Sequence, residues 1–103
     1  MRKRIMPVDE LWDGEMQGHQ VDGHKVLLVK LDGQVCAYSD RCAHLGVALS
    51  EGELIGETIV CKAHHYRYDA RTGCGINPKS VSLHALPVSI EDGMIAVELG
   101  GSS

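Results

Sequence analysis

Two short stretches hold the residues whose types and spacing could do chemistry. In the first, Cys42 stands two positions before His44; in the second, Cys61 stands three before His64; sixteen residues lie between His44 and Cys61. Two thiolates and two imidazoles suit either zinc or an iron–sulfur cluster. Their order narrows the choice. A zinc finger takes both cysteines from one knuckle and both histidines from a later helix. Here each stretch supplies one of each. That suits a binuclear centre with both thiolates on one iron and both imidazoles on the other. The rival reading is a pair of buried thiols and a pair of surface imidazoles, since free cysteine is often simply core. Matched pairs on two stretches argue against it.

Such a site needs a scaffold that brings two distant stretches together. No window of a dozen residues repeats with a helical period, and Glu10 to Met16 holds at most a single turn. Strands are predicted over Met6–Leu11, Lys25–Leu31, Gln34–Tyr38, Glu57–Val60, Val88–Glu91 and Met94–Leu99. Asp-Gly recurs at 13–14, 22–23, 32–33 and 92–93, a pair that accepts two successive positive φ angles and so suits the tight type I′ hairpin. Many short strands with dense turns predict an all-β fold, a small antiparallel sandwich or barrel. Both Cys/His pairs then fall where strands end, one after Tyr38 and one after Val60. Two loops, about 40–50 and 61–68, would form the metal-binding part.

Size and charge exclude several classes. At 103 residues the chain is expected to be one domain, 1–103. With 44% hydrophobic residues but no Phe, one Trp and three Tyr, its core must be mostly aliphatic. A net charge of −4, with no basic run beyond Arg2-Lys3-Arg4, argues against nucleic acid as a partner. That basic start is followed by Met6, Pro7, Val8, Asp9 and Glu10 rather than an apolar run, so neither a signal peptide nor a membrane anchor is expected. A cytoplasmic setting follows as an expectation. Lasting disulfides are rare there, so four cysteines suggest metal binding first.

The spacing Cys42-x-His44, Cys61-x-x-His64 resembles the motif of Rieske 2Fe–2S proteins. The likeness extends beyond the ligands to Leu45-Gly46, Leu49-Ser50-Glu51-Gly52-Glu53, Tyr68-Asp69, Thr72-Gly73 and Leu86-Pro87-Val88. Leu11-Trp12, Gly14-Glu15-Met16, Cys61-Lys62-Ala63-His64 and Gly75-Ile76-Asn77-Pro78 are similar to the Rieske ferredoxin component of toluene monooxygenases. The resemblance implies the Rieske fold and one 2Fe–2S cluster. It implies that Cys42 and Cys61 hold one iron, and that His44 and His64 hold the other. Replacing two thiolates by neutral imidazoles removes negative charge. That raises the potential from roughly −400 mV in all-cysteine ferredoxins into a range of about −150 to +300 mV.

Some positions depart from relatives. Ala43 stands where most have proline, and His65 where many have glycine. Adjacent side chains of an extended segment point opposite ways, so His64 is expected to bind and His65 to be exposed. Rieske proteins of respiratory and photosynthetic complexes carry disulfide cysteines where this chain has Val47 and Ala63, and a serine where it has Tyr66. Fewer hydrogen bonds to the cluster imply a potential at the low end of the range.

Other candidates have plainer readings. Cys36 reads as a small core residue, Cys74 as a thiol in a turn, and Trp12 as a core anchor. A Cys36–Cys74 bridge is arithmetically possible but not expected in a reducing compartment. His24 reads as a hairpin residue, and His19 and His84 lack ligand-like neighbours. Arg41, Lys62, Arg67 and Arg71 form either a positive collar or a solvated surface, with Asp40, Glu51, Glu53 and Asp69 equally near in sequence.

The chain contains none of the common hydrolase, zinc-protease or phosphate-loop motifs. The expected function is therefore electron transfer rather than catalysis. By the resemblance, a monomeric ferredoxin carries single electrons from an NADH-dependent flavoprotein reductase to a terminal oxygenase, docking transiently near His44 and His64. The oxygenase expected is a diiron toluene or aromatic monooxygenase. The alternatives are a ring-hydroxylating dioxygenase as the acceptor or, more distantly, a zinc-stabilised binding module.

Overall fold

The computed structural model describes residues 2–41, 48–62, 66–77 and 79–99. Its regular structure is strand, with two single 3-10 turns at Val8–Glu10 and Leu49–Glu51. The strands are β1 (Arg2–Pro7), β2 (Glu15–Val21), β3 (His24–Leu31), β4 (Gln34–Ser39), β5 (Glu53–Ile55), β6 (Thr58–Val60), β7 (Arg67–Asp69), β8 (Gly75–Asn77), β9 (Ala85–Leu86), β10 (Val88–Glu91) and β11 (Met94–Glu98). They form three antiparallel sheets, ordered β1-β11-β10, β2-β3-β4-β9 and β5-β6-β7-β8. The all-β architecture expected from the turn density is the one observed.

β3 explains how three sheets share one interior. Its run Val26-Leu27-Leu28-Val29 is at most 1% exposed throughout. An antiparallel strand with one wet face would alternate. Here side chains still alternate, but between two cores. Val26 and Leu28 pack with Met6, Leu11, Ala37, Ile95, Val97 and Leu99 on the side of the first sheet. Leu27, Val29 and Leu31 pack with Tyr38, Leu49, Ile59, Cys61, Tyr68 and Ala70 on the side of the third. The middle sheet is thus the shared wall of both layers. Burying each of these aliphatic side chains contributes roughly 1.5–3 kcal/mol.

Three of the four Asp-Gly pairs make the predicted hairpins. Asp22, Asp32 and Asp92 have φ near 50°, each followed by a glycine with φ between 77° and 82°, joining β2 to β3, β3 to β4 and β10 to β11. At 13–14 the outcome differs. Only Gly14 has positive φ, and the turn is closed by the Glu15 amide donating to the Trp12 carbonyl at 3.0 Å.

Further differences have local causes. The first strand ends at Pro7, and the chain turns at Val8–Glu10, closed by the Leu11 amide on the Val8 carbonyl at 3.2 Å. The helical turn expected between Glu10 and Met16 therefore forms a few residues earlier. Leu11 takes the core position at 0% exposure, and Trp12, expected as an anchor, is 73% exposed. β2 was not predicted: Gln17, Gly18, His19 and Gln20 show no apolar alternation, and the segment is held by pairing with β3. β5, β7, β8 and β9 have two or three residues each, too short to show a period.

Candidate metal centre

β6 runs straight into Cys61, which is 0% exposed within the core between the second and third sheets. The Cys61 amide donates to the Tyr66 carbonyl at 2.7 Å, and Val60 pairs with Arg67 one step further back. The ends of segment 62–65 are therefore clamped together on the β6–β7 ladder. A thiolate buried among apolar side chains is strongly disfavoured unless a metal takes its charge. Cys61 thus suits ligation far better than solution chemistry.

The first stretch leaves β4 through Asp40 and Arg41. The Asp40 amide donates to the Lys25 carbonyl at 3.0 Å, and the Arg41 amide to the Ser39 carbonyl at 2.8 Å. The described chain resumes at Ala48 and enters the 3-10 turn, whose Leu49 is fully buried in the same core as Cys61. Asp40 itself is only 4% exposed, and its carboxylate accepts hydrogen bonds from the Ser50 amide at 2.8 Å and the Ser50 hydroxyl at 2.6 Å.

The two stretches meet at Gly52. A Cβ there would lie 2.1 Å from the Val60 carbonyl oxygen and 3.2 Å from the Lys62 amide nitrogen. Only glycine allows this approach. The return of the first stretch therefore rests on the start of the second, and an ion pair from Lys62 to Glu51 at 3.2 Å spans the same junction on the surface. The fold brings the ends of both Cys/His stretches to one place, as a site shared between them requires.

Of the expected ligands, Cys61 is buried at this junction, while Cys42, His44 and His64 lie outside the described residues, as do Ala43, Val47, Ala63, His65 and Pro78. Tyr66 is half-buried against the Cys61 core. Among the described residues no three side chains of metal-binding type cluster together. His24 and His84 are exposed, and His19 shares a 3.1 Å hydrogen bond with Gln17. Cys36 is half-buried on β4 with its sulfur 3.7 Å from the Arg71 carbonyl oxygen; Cys74 is exposed, and both are free thiols.

The supposed collar divides. Arg71 turns away from the junction, to Glu57 at 2.9 Å and to Asp32, joining the tip of the β3–β4 hairpin to the third sheet. Lys62 is paired, and Arg41 and Arg67 are exposed. Asp40, grouped with the surface acids by its sequence position, is an interior residue. The sequence reading gave no role to Asp40, Ser50, Gly18 or Gly52. The one signal in the sequence is Leu49-Ser50-Glu51-Gly52-Glu53, whose glycine marks the close contact.

The fold and junction describe a β protein built to hold a cluster between two stretches. Residues 1–87 match the Rieske 2Fe-2S domain, and the chain belongs to that family. The ferredoxin component of an alkene monooxygenase system from Xanthobacter autotrophicus is 42% identical over 94 residues, covering 90% of this chain and 77% of that protein. The ferredoxin component of the naphthalene 1,2-dioxygenase/salicylate 5-hydroxylase systems of a Ralstonia species is 28% identical, covering 89% of each. Among solved structures, the ferredoxin of carbazole 1,9a-dioxygenase from Nocardioides aromaticivorans IC177 superposes with a TM-score of 0.84 at 30% identity, over 94% of this chain and 96% of that one. The chain is a Rieske ferredoxin: it carries a 2Fe–2S cluster and transfers electrons rather than catalysing a reaction. The zinc-module alternative is set aside by that membership.

Proposed function

We propose that this ferredoxin delivers single electrons to a terminal monooxygenase of the diiron hydrocarbon-oxidising type, and receives them from an NADH-dependent flavoprotein reductase. The observation that carries this reading is the 42% identity to the alkene monooxygenase ferredoxin, against 28% to the naphthalene dioxygenase ferredoxin, over nearly the same share of the chain. Ring dioxygenases remain the second reading, favoured by the superposition on the carbazole dioxygenase ferredoxin. Cys42 and Cys61 hold one iron, and His44 and His64 the other. The burial of Cys61, and the meeting of both stretches at Gly52, support that assignment.

The cluster supplies one-electron chemistry when bound. The protein supplies position, exposure and docking. Cys61 lies in the apolar interior, so an iron held there would be shielded, and His44 and His64 would give the electron its outlet. Partners dock transiently near His44 and His64, with the chain acting as a monomer in the cytoplasm. Among the described residues, no helix is long and apolar enough to cross a membrane.

Reconstitution tests the reading. The purified ferredoxin, an NADH-dependent reductase and either a diiron hydrocarbon monooxygenase or a ring dioxygenase are combined, and product is measured. Turnover with the monooxygenase and little with the dioxygenase is expected. The opposite pattern reverses the assignment.

A further inference from the structure

Among the described residues Asp40 is the one buried carboxylate, at 4% exposure. Such a group is costly in an interior unless its oxygens are hydrogen-bonded. Both are, and among the described residues Ser50 supplies both partners: its amide meets Oδ1 at 2.8 Å, and its hydroxyl meets Oδ2 at 2.6 Å. The two residues stand on either side of segment 42–47. Asp40 is fixed on its own side by its amide on the Lys25 carbonyl at 3.0 Å.

Two glycines make room for this arrangement. Gly18, in the middle of β2, has no turn to make. A Cβ there would lie 2.5 Å from the Ser50 Oγ and 2.7 Å from the Asp40 Oδ2, closer than any real contact. The pair is therefore pressed against bare backbone. On the far side of the same 3-10 turn, Gly52 rests on Val60 and Lys62, where the second stretch begins. Ser50 is thus tied to the exit of β4 and, two residues on, seated against the approach to Cys61.

We propose that Asp40 is a positioning residue for the iron–sulfur cluster, its two hydrogen bonds to Ser50 closing the base of the first ligand stretch and holding it in register with the stretch that begins at Cys61. This inference rests on the ligand assignment proposed above. The described contacts of Asp40 are with Ser50 and Lys25; through them it acts on the backbone at both ends of segment 42–47. Its contribution is directional. An apolar residue of similar size could fill the space but could not hold Ser50 in one orientation.

The test compares Asp40→Ala, Asp40→Asn, Ser50→Ala and Gly18→Ala in the full-length loaded protein, with Arg71→Gln as a control at the opposite end of the β6–β7 ladder. Two quantities are read: the rate at which cluster absorbance bleaches in excess chelator, and the EPR line shape after reduction. Ser50→Ala is expected to bleach about tenfold faster, the factor equivalent to ~1.4 kcal/mol, near the lower bound for a hydrogen bond to a charged group. Asp40→Ala is expected to bleach faster still, and both to give broadened lines. Asp40→Asn keeps both contacts once the Ser50 hydroxyl turns to accept, so it should stay near the unmodified rate and line shape. Gly18→Ala separates the pair from the other side and covers the case in which Asp40→Ala does not fold. The proposal is overturned if Asp40→Ala and Ser50→Ala match the unmodified protein, if Asp40→Asn behaves like Asp40→Ala, or if Arg71→Gln bleaches equally fast. Absence of a Rieske-type EPR signal in the unmodified protein would instead defeat the ligand assignment itself.

Discussion

Gly52 and Val60 lie so close that a Cβ on Gly52 would stand 2.1 Å from the Val60 carbonyl oxygen. The contact joins the stretch that carries Cys42 and His44 to the one that carries Cys61 and His64. Backbone cannot give way as a side-chain tip does, so Gly52→Ala must push the two stretches apart. The expected outcome is a protein that retains its β circular dichroism but is purified with a small fraction of the normal cluster. Full iron and sulfide content in Gly52→Ala would refute the role given to this contact.

Cys61 is buried at 0% exposure at the end of β6. As a ligand, its replacement by serine should abolish the Rieske EPR signal and take iron from about two per chain toward zero. As a core residue only, Cys61→Ser would cost some stability and leave the metal content intact. Iron and acid-labile sulfide analysis decides between them.

By the resemblance, Tyr66 stands where Rieske proteins of respiratory and photosynthetic complexes have a serine. Its carbonyl is engaged by the Cys61 amide at 2.7 Å. If the missing serine means fewer hydrogen bonds to the cluster, as the resemblance implies, the midpoint potential falls at the low end of the range of about −150 to +300 mV for such centres, and Tyr66→Ser should raise it. Potentiometry of both proteins checks the direction, and a clearly positive midpoint for the unmodified chain would contradict it.

Arg71 binds Glu57 and Asp32 at the end of the ladder remote from Cys61. These are partly exposed ion pairs, so their contribution is modest and screened by salt. Arg71→Gln should lower the denaturation midpoint slightly at low ionic strength, with the difference shrinking at about 1 M salt. Cluster content should not change.

Tyr38 is buried, and its hydroxyl donates to the Ala70 carbonyl at 2.9 Å. Burial, followed by the nearby Cys36 thiol, pushes the phenol well above its ordinary value of 10.0. The unfolded chain ionises this tyrosine first. Its contribution to stability is therefore complete below about pH 10 and lost as pH rises from there toward the folded-state value. Tyr38→Phe has no proton to release, so its stability should fall less steeply between about pH 9 and 11, about one unit either side of the ordinary tyrosine value. Denaturant titrations across that interval measure the two slopes.

The chemistry of this protein was legible before its fold. Cys42, His44, Cys61 and His64 point to metal binding by type and order, and the motif they form resembles that of Rieske proteins, because the spacing of such residues is a local property of the chain. Three hairpins were legible for the same reason: Asp-Gly alone satisfies two positive φ angles at 22–23, 32–33 and 92–93. Other features depend on what the chain meets in space. Val26 to Val29 reads as one apolar run, and only the stacking of sheets shows that it feeds two cores. Trp12 reads as an anchor, and only packing shows that Leu11 has taken the place. Asp40 reads as one more surface acid beside the ligands. Its burial, its two bonds to Ser50 and the space left by Gly18 come from segments far apart in sequence. Local types and spacing therefore carried the family resemblance that named the cofactor. The tertiary structure decided how its two ligand stretches are kept together, because that depends on close approaches between backbones that no single stretch encodes.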